Sequence, residues 1–385
     1  MQKESWQLFT PGPTTVPASV LLEMAKPIEN PDLDVDFHAW FRETCSVLAE
    51  ILRTKTTPLI LAGEAILGLE AAINSLIRPG EKVIVLASGL FGRGFADFVR
   101  MYDGQPEIFS VPDDEVISSA IAKEALEKHP DATAVTLVHC ETPSGTLNPL
   151  EEIGSVVQQH DATLIVDAVS SVAGADMRMD EWGVDVCLVG SQKCFSSPPG
   201  LTMVGLSERA WQTIEEKKDS IRGYYLNLSQ WKEQWLEKEI MPYTHMISNL
   251  YALRKSMDLI LEEGLENVLK RHEKVANATR TAINALGLQI FPKSEAICSP
   301  TVTAFLPPKG IDEGKLREIL WKKYGVMIAG NYGELAGRVP RLGHMGFDAN
   351  YRKALSSLCA IEKGLQDLGH SIESGVAAKA FNDTW

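Results

Sequence analysis

The chain has 385 residues, 45% of them hydrophobic, which is enough for a large core and for more than one typical domain. Its net charge of −14 argues against nucleic acid and against an anionic membrane surface as partners, without forbidding a local anion site. The six cysteines, Cys45, Cys140, Cys187, Cys194, Cys298 and Cys359, form no CxxC pair and no zinc-like spacing, so no metal is expected. The opening Met1–Trp6 lacks an apolar signal core, and no run is long and apolar enough for a bilayer. A reduced, cytoplasmic protein is the expectation.

Residues 1–20 read as an irregular arm, with Thr10-Pro11-Gly12-Pro13-Thr14 as a rigid, turn-rich stretch. From about residue 60, strands and helices alternate. Lys82–Ser88, Thr133–His139, Thr163–Asp167 and Asp185–Gly190 are short β-branched runs with little alternation, as expected for strands covered on both faces. Helical stretches such as Leu150–His160 lie between them. The pattern predicts an α/β fold with a mostly parallel sheet, in a large domain covering 21–250. Ligands on such sheets sit at the carboxyl ends of the strands, so Ser88, His139, Asp167 and Gly190 mark the expected rim.

The second half changes character. Leu250–Leu286 reads as one long helical stretch whose charged residues form a solvated face. A strand at Thr301–Leu306, a helix at Glu313–Tyr324, a strand at Val326–Ala329 and a helix at Ala349–Leu368 make a smaller α+β domain over 251–385. The tail from Glu373 onward reads as loosely held.

Two residues carry the chemistry. The strand Thr163–Asp167 ends in a carboxylate, and an isolated buried carboxylate is costly unless partnered. After the next strand comes Gly190-Ser191-Gln192-Lys193, followed by Ser197-Pro198-Pro199-Gly200. Alone, the aspartate is commonly a cap and the lysine commonly solvated. Together they emerge on one sheet edge, where a lysine in a rigid Gly/Pro frame suits Schiff-base chemistry with a carbonyl or pyridoxal. An aspartate facing a pyridine nitrogen keeps that ring protonated and makes it an electron sink. His139, His245 and His344 read as packing residues.

These residues resemble the class V aminotransferases of PLP fold type I. The markers run in order through Thr10-Pro11-Gly12-Pro13, Gly63 to Glu70, Ala87 to Gly92, His139 to Gly145, Asp167 to Ser171, Gly190 to Gly200 and Arg341-Leu342-Gly343. The resemblance implies a seven-stranded, mostly parallel sheet in the large domain and a homodimer, or a tetramer, with sites at the subunit interface. It also implies roles. Lys193 and Asp167 would be catalytic, Phe91 and Val169 would pack on the two faces of the cofactor ring, and Thr142 or Ser144 would bond its substituents. Gln192 would stand near the phosphate end, and Arg341 would fork onto a substrate carboxylate, a geometry lysine cannot copy.

The chain departs from that family where the cofactor phosphate would sit. Ala62-Gly63-Glu64-Ala65-Ile66-Leu67 offers no hydroxyl, and Glu64 brings a negative charge. A carboxylate beside a phosphate is repelled by roughly 1–4 kcal/mol at moderate screening; turned aside, Glu64 would instead cap the helix. A tyrosine expected three residues before Thr244 is Met241 here. The likeness is greatest to the branch of the family that takes unphosphorylated pyridoxamine as a substrate with pyruvate. There a glutamate at the Glu64 position meets the free hydroxymethyl arm, which can donate to a carboxylate as an ionised phosphate cannot. That branch has an arginine where this chain has Tyr332. The leading expectation is amino transfer between pyridoxamine and an oxo acid, with pyridoxal bound at Lys193. The alternative is an alanine– or serine–glyoxylate type enzyme using pyridoxal 5'-phosphate. A non-catalytic B6 carrier is the third reading, and Lys193 with Arg341 argues against it.

Overall fold

A computed structural model describes residues 6–385; residues 1–5, the head of the expected arm and of the segment read for a signal core, lie outside the described residues. The chain begins with β1 (Gln7–Phe9), α1 (Ala18–Glu23) and α2 (Val35–Leu52). Then β2 (Leu59–Ala62), α3 (Ala65–Leu76), β3 (Lys82–Ala87), α4 (Leu90–Met101), β4 (Gln105–Ser110), α5 (Ser119–Lys128) and β5 (Ala134–Val138) alternate. A hairpin of β6 (Cys140–Glu141) and β7 (Thr146–Leu147), the helix α6 (Leu150–Val157), and strands β8 (Thr163–Asp167), β9 (Val186–Gly190) and β10 (Leu201–Leu206) follow.

Seven of these strands form one sheet in the order β2-β10-β9-β8-β5-β3-β4. The pairs β3–β4, β3–β5, β5–β8 and β8–β9 are parallel, and β10 runs antiparallel to both its neighbours. The mostly parallel seven-stranded sheet therefore stands as expected. Four of its strands were visible as buried β-branched runs; β2, β4 and β10 were not. β4 (QPEIFS) is an edge strand that alternates between exposed and half-buried residues, so it lacks the apolar run. From β3 the chain steps outward to β4 and then returns to β5 on the other side of β3. That reversal opens a crevice at the carboxyl ends of β3 and β5, the place where such sheets bind ligands.

The second half holds two helices, Ile247–Glu263 and Leu265–Ala285, where a single stretch was expected. Gly264 separates them at φ 85°, a conformation that glycine adopts without penalty. A small sheet joins Gln289–Ile290, Val302–Leu306 and Arg341–Gly343. The expected irregular arm is in part a strand, because β1 pairs in parallel with Val326–Ile328. One buried cluster runs from Phe37 through Val268 and takes in Val302 and Met345; a second begins at Phe9, resumes at Val275 and ends at Phe381. No helix among the described residues is long and apolar enough to cross a membrane.

The tail is not loosely held. Val376–Thr384 is a helix with Ala377 and Phe381 fully buried, and Glu362 accepts the N–H groups of Gly375 and Ala377 at its start. Two apolar residues four apart were too short a pattern to see in the sequence, yet they place one face on the core. Phe381→Ala is expected to cost about 3–5 kcal/mol, as for other buried phenylalanines. Equilibrium denaturation checks this; an unchanged midpoint would show that the tail adds nothing.

Candidate active site

The site assembles at the carboxyl edge of the sheet. β5, β8 and β9 pair in parallel, with Val138 beside Asp167 and Asp167 beside Leu188. Asp167 is thus delivered to the edge, 7% exposed, and its Oδ1 accepts the Val169 N–H at 2.9 Å. β9 ends at Gly190 and the chain turns through Ser191, whose hydroxyl donates to the Pro198 carbonyl at 2.7 Å. That rigid frame carries Gln192 and Lys193. The Lys193 Nζ donates to the Pro11 carbonyl at 2.6 Å. Gly12 presses on the same side chain: a Cβ there would fall 2.6 Å from Cδ, Cε and Nζ of Lys193 and would displace the amine, and the φ of 109° favours glycine.

Electrostatics tie the group together. Burial lowers the Lys193 amine from its ordinary value, the Asp167 charge opposes the fall and the Arg341 charge adds to it. Burial pushes Asp167 up to about 6; the Val169 N–H and the Lys193 charge pull it back, and Glu64 adds to the rise. Amine and carboxylate are each drawn toward neutrality by lost hydration and toward charge by the other. Arg341 is 5% exposed, its Nε donates to the Gly330 carbonyl at 2.7 Å, and its guanidinium lies 5.3 Å from the Tyr332 ring centre. Tyr332 itself is 59% exposed.

Glu64 does two things at once. It is the N-cap of α3, where Oε2 accepts the Ile66 N–H at 3.1 Å, and its Oε1 accepts from Gln192 Nε2 at 2.6 Å. It is therefore not turned aside: it caps the helix while facing the lysine loop. The Gln192 Oε1 is buried without a hydrogen-bond partner. Met241 is buried, and the tyrosine that reaches this corner is Tyr243. Its hydroxyl accepts the Ala62 N–H at 3.2 Å, while the Tyr225 hydroxyl donates to the Ala62 carbonyl at 2.7 Å. The two rings stack at 4.5 Å.

The remaining expected residues lie on the elements around that edge. Phe91, 41% exposed, is in the first turn of α4. Val169 sits where a Cβ on Gly190 would meet its Cγ1 at 3.3 Å. The hydroxyls of Thr142 and Ser144 bond Ser170 and Thr146 at 2.8 and 2.9 Å. The three histidines are buried and held neutral: desolvation takes His139 and His245 down to about 4 and His344 to about 3. Among the described residues no cluster could hold a metal ion.

Glu141, Tyr225 and Tyr243 were missed in the sequence. Glu141 is 0% exposed and accepts the Gly92 N–H at 2.6 Å and the Phe91 N–H at 3.2 Å. Its position next to His139-Cys140 at a strand end was the available signal, since a carboxylate leaving a buried run needs a partner.

The Aminotransferase class-V family profile matches residues 7–345. An uncharacterized aminotransferase of Methanocaldococcus jannaschii is 40% identical over 96% of this chain and 95% of its own. The pyridoxamine–pyruvate transaminase of Mesorhizobium japonicum is 36% identical over 97% of this chain and 94% of its own. The crystal structure of the ureidoglycine–glyoxylate aminotransferase of Bacillus subtilis superposes with a TM-score of 0.96 at 31% identity, covering 100% of this chain and 99% of that one.

Burial pushes Glu141 from 4.5 up to about 7, against the two N–H bonds and the Arg93 charge, with Asp167 adding to the rise. The folded chain then holds a proton that the unfolded chain releases. This contribution is complete below pH 4.5 and is lost as pH rises through about 7. The ligand-free protein should lose stability between pH 5 and 8, by roughly 3 kcal/mol from this group. Glu141→Gln should flatten the pH dependence of the melting temperature; an identical slope in the variant would assign the loss elsewhere.

Proposed function

The chain belongs to the class-V aminotransferases, and we propose that it moves an amino group between unphosphorylated pyridoxamine and a 2-oxo acid such as pyruvate. The observation that carries this reading is the double engagement of Glu64. Class-V aminotransferases use pyridoxal phosphate, and a helix start at a sheet edge is where a phosphate binds best. Here the start of α3 is already met by the chain's own carboxylate, which takes the Ile66 N–H. What the corner offers is acceptors: the Glu64 carboxylate and, buried behind it, the unpartnered Gln192 Oε1. An ionised phosphate also only accepts, whereas the hydroxymethyl group of pyridoxamine donates. This acceptor set fits a B6 ring with a free arm. The 36% identity to a pyridoxamine–pyruvate transaminase agrees with this reading.

The bound B6 ring supplies an electron sink at the carbon that gains or loses the amino group. The chain's own groups do the rest. Lys193 Nζ, kept toward its neutral form by burial and by Arg341, is the nucleophile for the pyridoxal carbonyl and the carrier of the proton between substrate carbon and ring. Asp167 uses Oδ1 on Val169, which leaves its other oxygen as the group that would hold a proton on the ring nitrogen. Phe91 and Val169 would flank the ring, and Thr142 and Ser144 would bound its edge. With Nε tied to Gly330, Arg341 would offer its terminal nitrogens, which the Tyr332 side chain neighbours, to the oxo-acid carboxylate. The Pro11 carbonyl holds Nζ until a carbonyl substrate takes it. We place the working unit as a homodimer, or a tetramer of such pairs. Its support is exposed apolar surface at the Glu64 corner: Ile66 is 55% exposed and Tyr225, bonded to Ala62, is 44% exposed. The 21–250 and 251–385 division remains our proposed domain frame.

The second reading is a pyridoxal 5'-phosphate enzyme of the glyoxylate type with an altered phosphate corner, favoured by the likeness to the ureidoglycine–glyoxylate aminotransferase structure. Reconstitution separates the two. Borohydride reduction with pyridoxamine plus pyruvate should leave a phosphate-free adduct on Lys193, and Lys193→Ala should abolish both adduct and turnover. Tighter binding of pyridoxal 5'-phosphate than of pyridoxal would refute the leading reading. Arg341→Lys keeps the charge but loses the fork, so KM for the oxo acid should rise roughly 10- to 100-fold, as expected for about 1.5–3 kcal/mol of charge-assisted bonding. An unchanged KM would remove Arg341 from carboxylate binding.

A further inference from the structure

Glu141 stands outside every role assigned above, yet it is a fully buried carboxylate in the crevice. It comes from β6, just after β5, and reaches α4, which follows β3. β3 and β5 are neighbours, and the reversal of strand order lies between them. Glu141 therefore spans the mouth of the crevice. α4 has no cap of its own: its N-cap is Gly89, which offers no side chain. Glu141 replaces that cap from a different strand, accepting the N–H groups of Gly92 and Phe91.

Two glycines make the space for it. A Cβ on Gly89 would lie 2.5 Å from Glu141 Cδ, and a Cβ on Gly92 would lie 3.1 Å from Oε1. Gly89 has φ −178°, ordinary extended backbone that any residue adopts, so its lack of a side chain serves Glu141 and not the turn. The backbone of the same residue organises the other wall. The Glu141 carbonyl accepts the Gly145 N–H at 2.8 Å and the Ser144 hydroxyl at 3.3 Å. The charged groups acting on it are Arg93 on α4 and Asp167 on β8. A local Ser or Thr would cap α4 without bringing an ionisable group into the crevice. A carboxylate brought across the crevice instead locks its two walls to each other.

We propose that Glu141 is a positioning residue for amino transfer: through the Phe91 and Gly92 N–H groups it holds the Phe91 ring in register with the B6 ring. The proposal rests on the reading that Phe91 and Lys193 flank a bound B6 ring. Misplacing a stacking group by about 1 Å can cost on the order of 100-fold in rate. Glu141→Ala should lower kcat roughly 10- to 100-fold and leave KM for the oxo acid within about threefold. It should also weaken the circular dichroism of enzyme-bound pyridoxal, while pyridoxal is still trapped on Lys193 by borohydride. Glu141→Gln keeps an acceptor for Gly92 but sets an NH2 group against the Phe91 N–H, so it should show the same dichroism change with a smaller kcat loss, roughly 3- to 10-fold, and it decides the matter if the alanine variant does not fold. Folded variants with kcat within twofold of the parent, or with lowered kcat and unaltered dichroism, would overturn the proposal. Failure of the unmodified enzyme to trap pyridoxal at Lys193 would overturn the underlying reading instead, whatever the variants do.

Discussion

An amine and a carboxylate, both deprived of water, feel each other's charge at the edge of a parallel sheet, and the remainder of the site is arranged around that pair. Lost hydration pushes Asp167 up to about 6 and lowers Lys193, while each charge favours the other. For each group burial opposes the charged form and the neighbour's charge favours it. The sheet achieves this cheaply. Parallel strands end on one side, so β8 delivers Asp167 and β9, through the short frame after Gly190, delivers Lys193 to the same edge. The N-terminal arm completes the enclosure, with Gly12 against the lysine side chain and Pro11 on its nitrogen.

The same electrostatic economy explains the Glu64 corner. A helix start attracts an anion because its first N–H groups lack partners. Most sites leave those groups to a ligand. Here Glu64 is that anion, and Gln192 fixes its second oxygen, so the corner turns from a donor site into an acceptor site. Tyr225 and Tyr243 hold Ala62 from both sides, next to the α3 start.

Much of this was visible in the amino-acid order. β3, β5, β8 and β9 are continuous apolar runs because both faces of the sheet are covered, and the residues that break those runs mark the site. Asp167 and Lys193 stood out because charged residues at strand ends need a partner, whereas Arg341 and Glu64 stood out only through the family resemblance and the departure from it. β4 escaped notice because an edge strand has one half-exposed face, and the helix break at Gly264 because a single glycine is tolerated in many helices. The tail helix escaped because its stability comes from docking Phe381 into a core built by other segments.

Residue type and local order determined which groups could carry charge, where the strands end, and that the start of α3 would bear a carboxylate. Tertiary structure alone decided how those groups meet. Glu141 lies 50 residues from the Phe91 N–H it accepts, and Gln192 lies 128 residues from Glu64. Periodicity reports only neighbours along the chain, whereas a hydrogen bond across a crevice depends on the order in which strands are laid side by side. That order is set by burial of the whole sheet, so no stretch of the chain contains it.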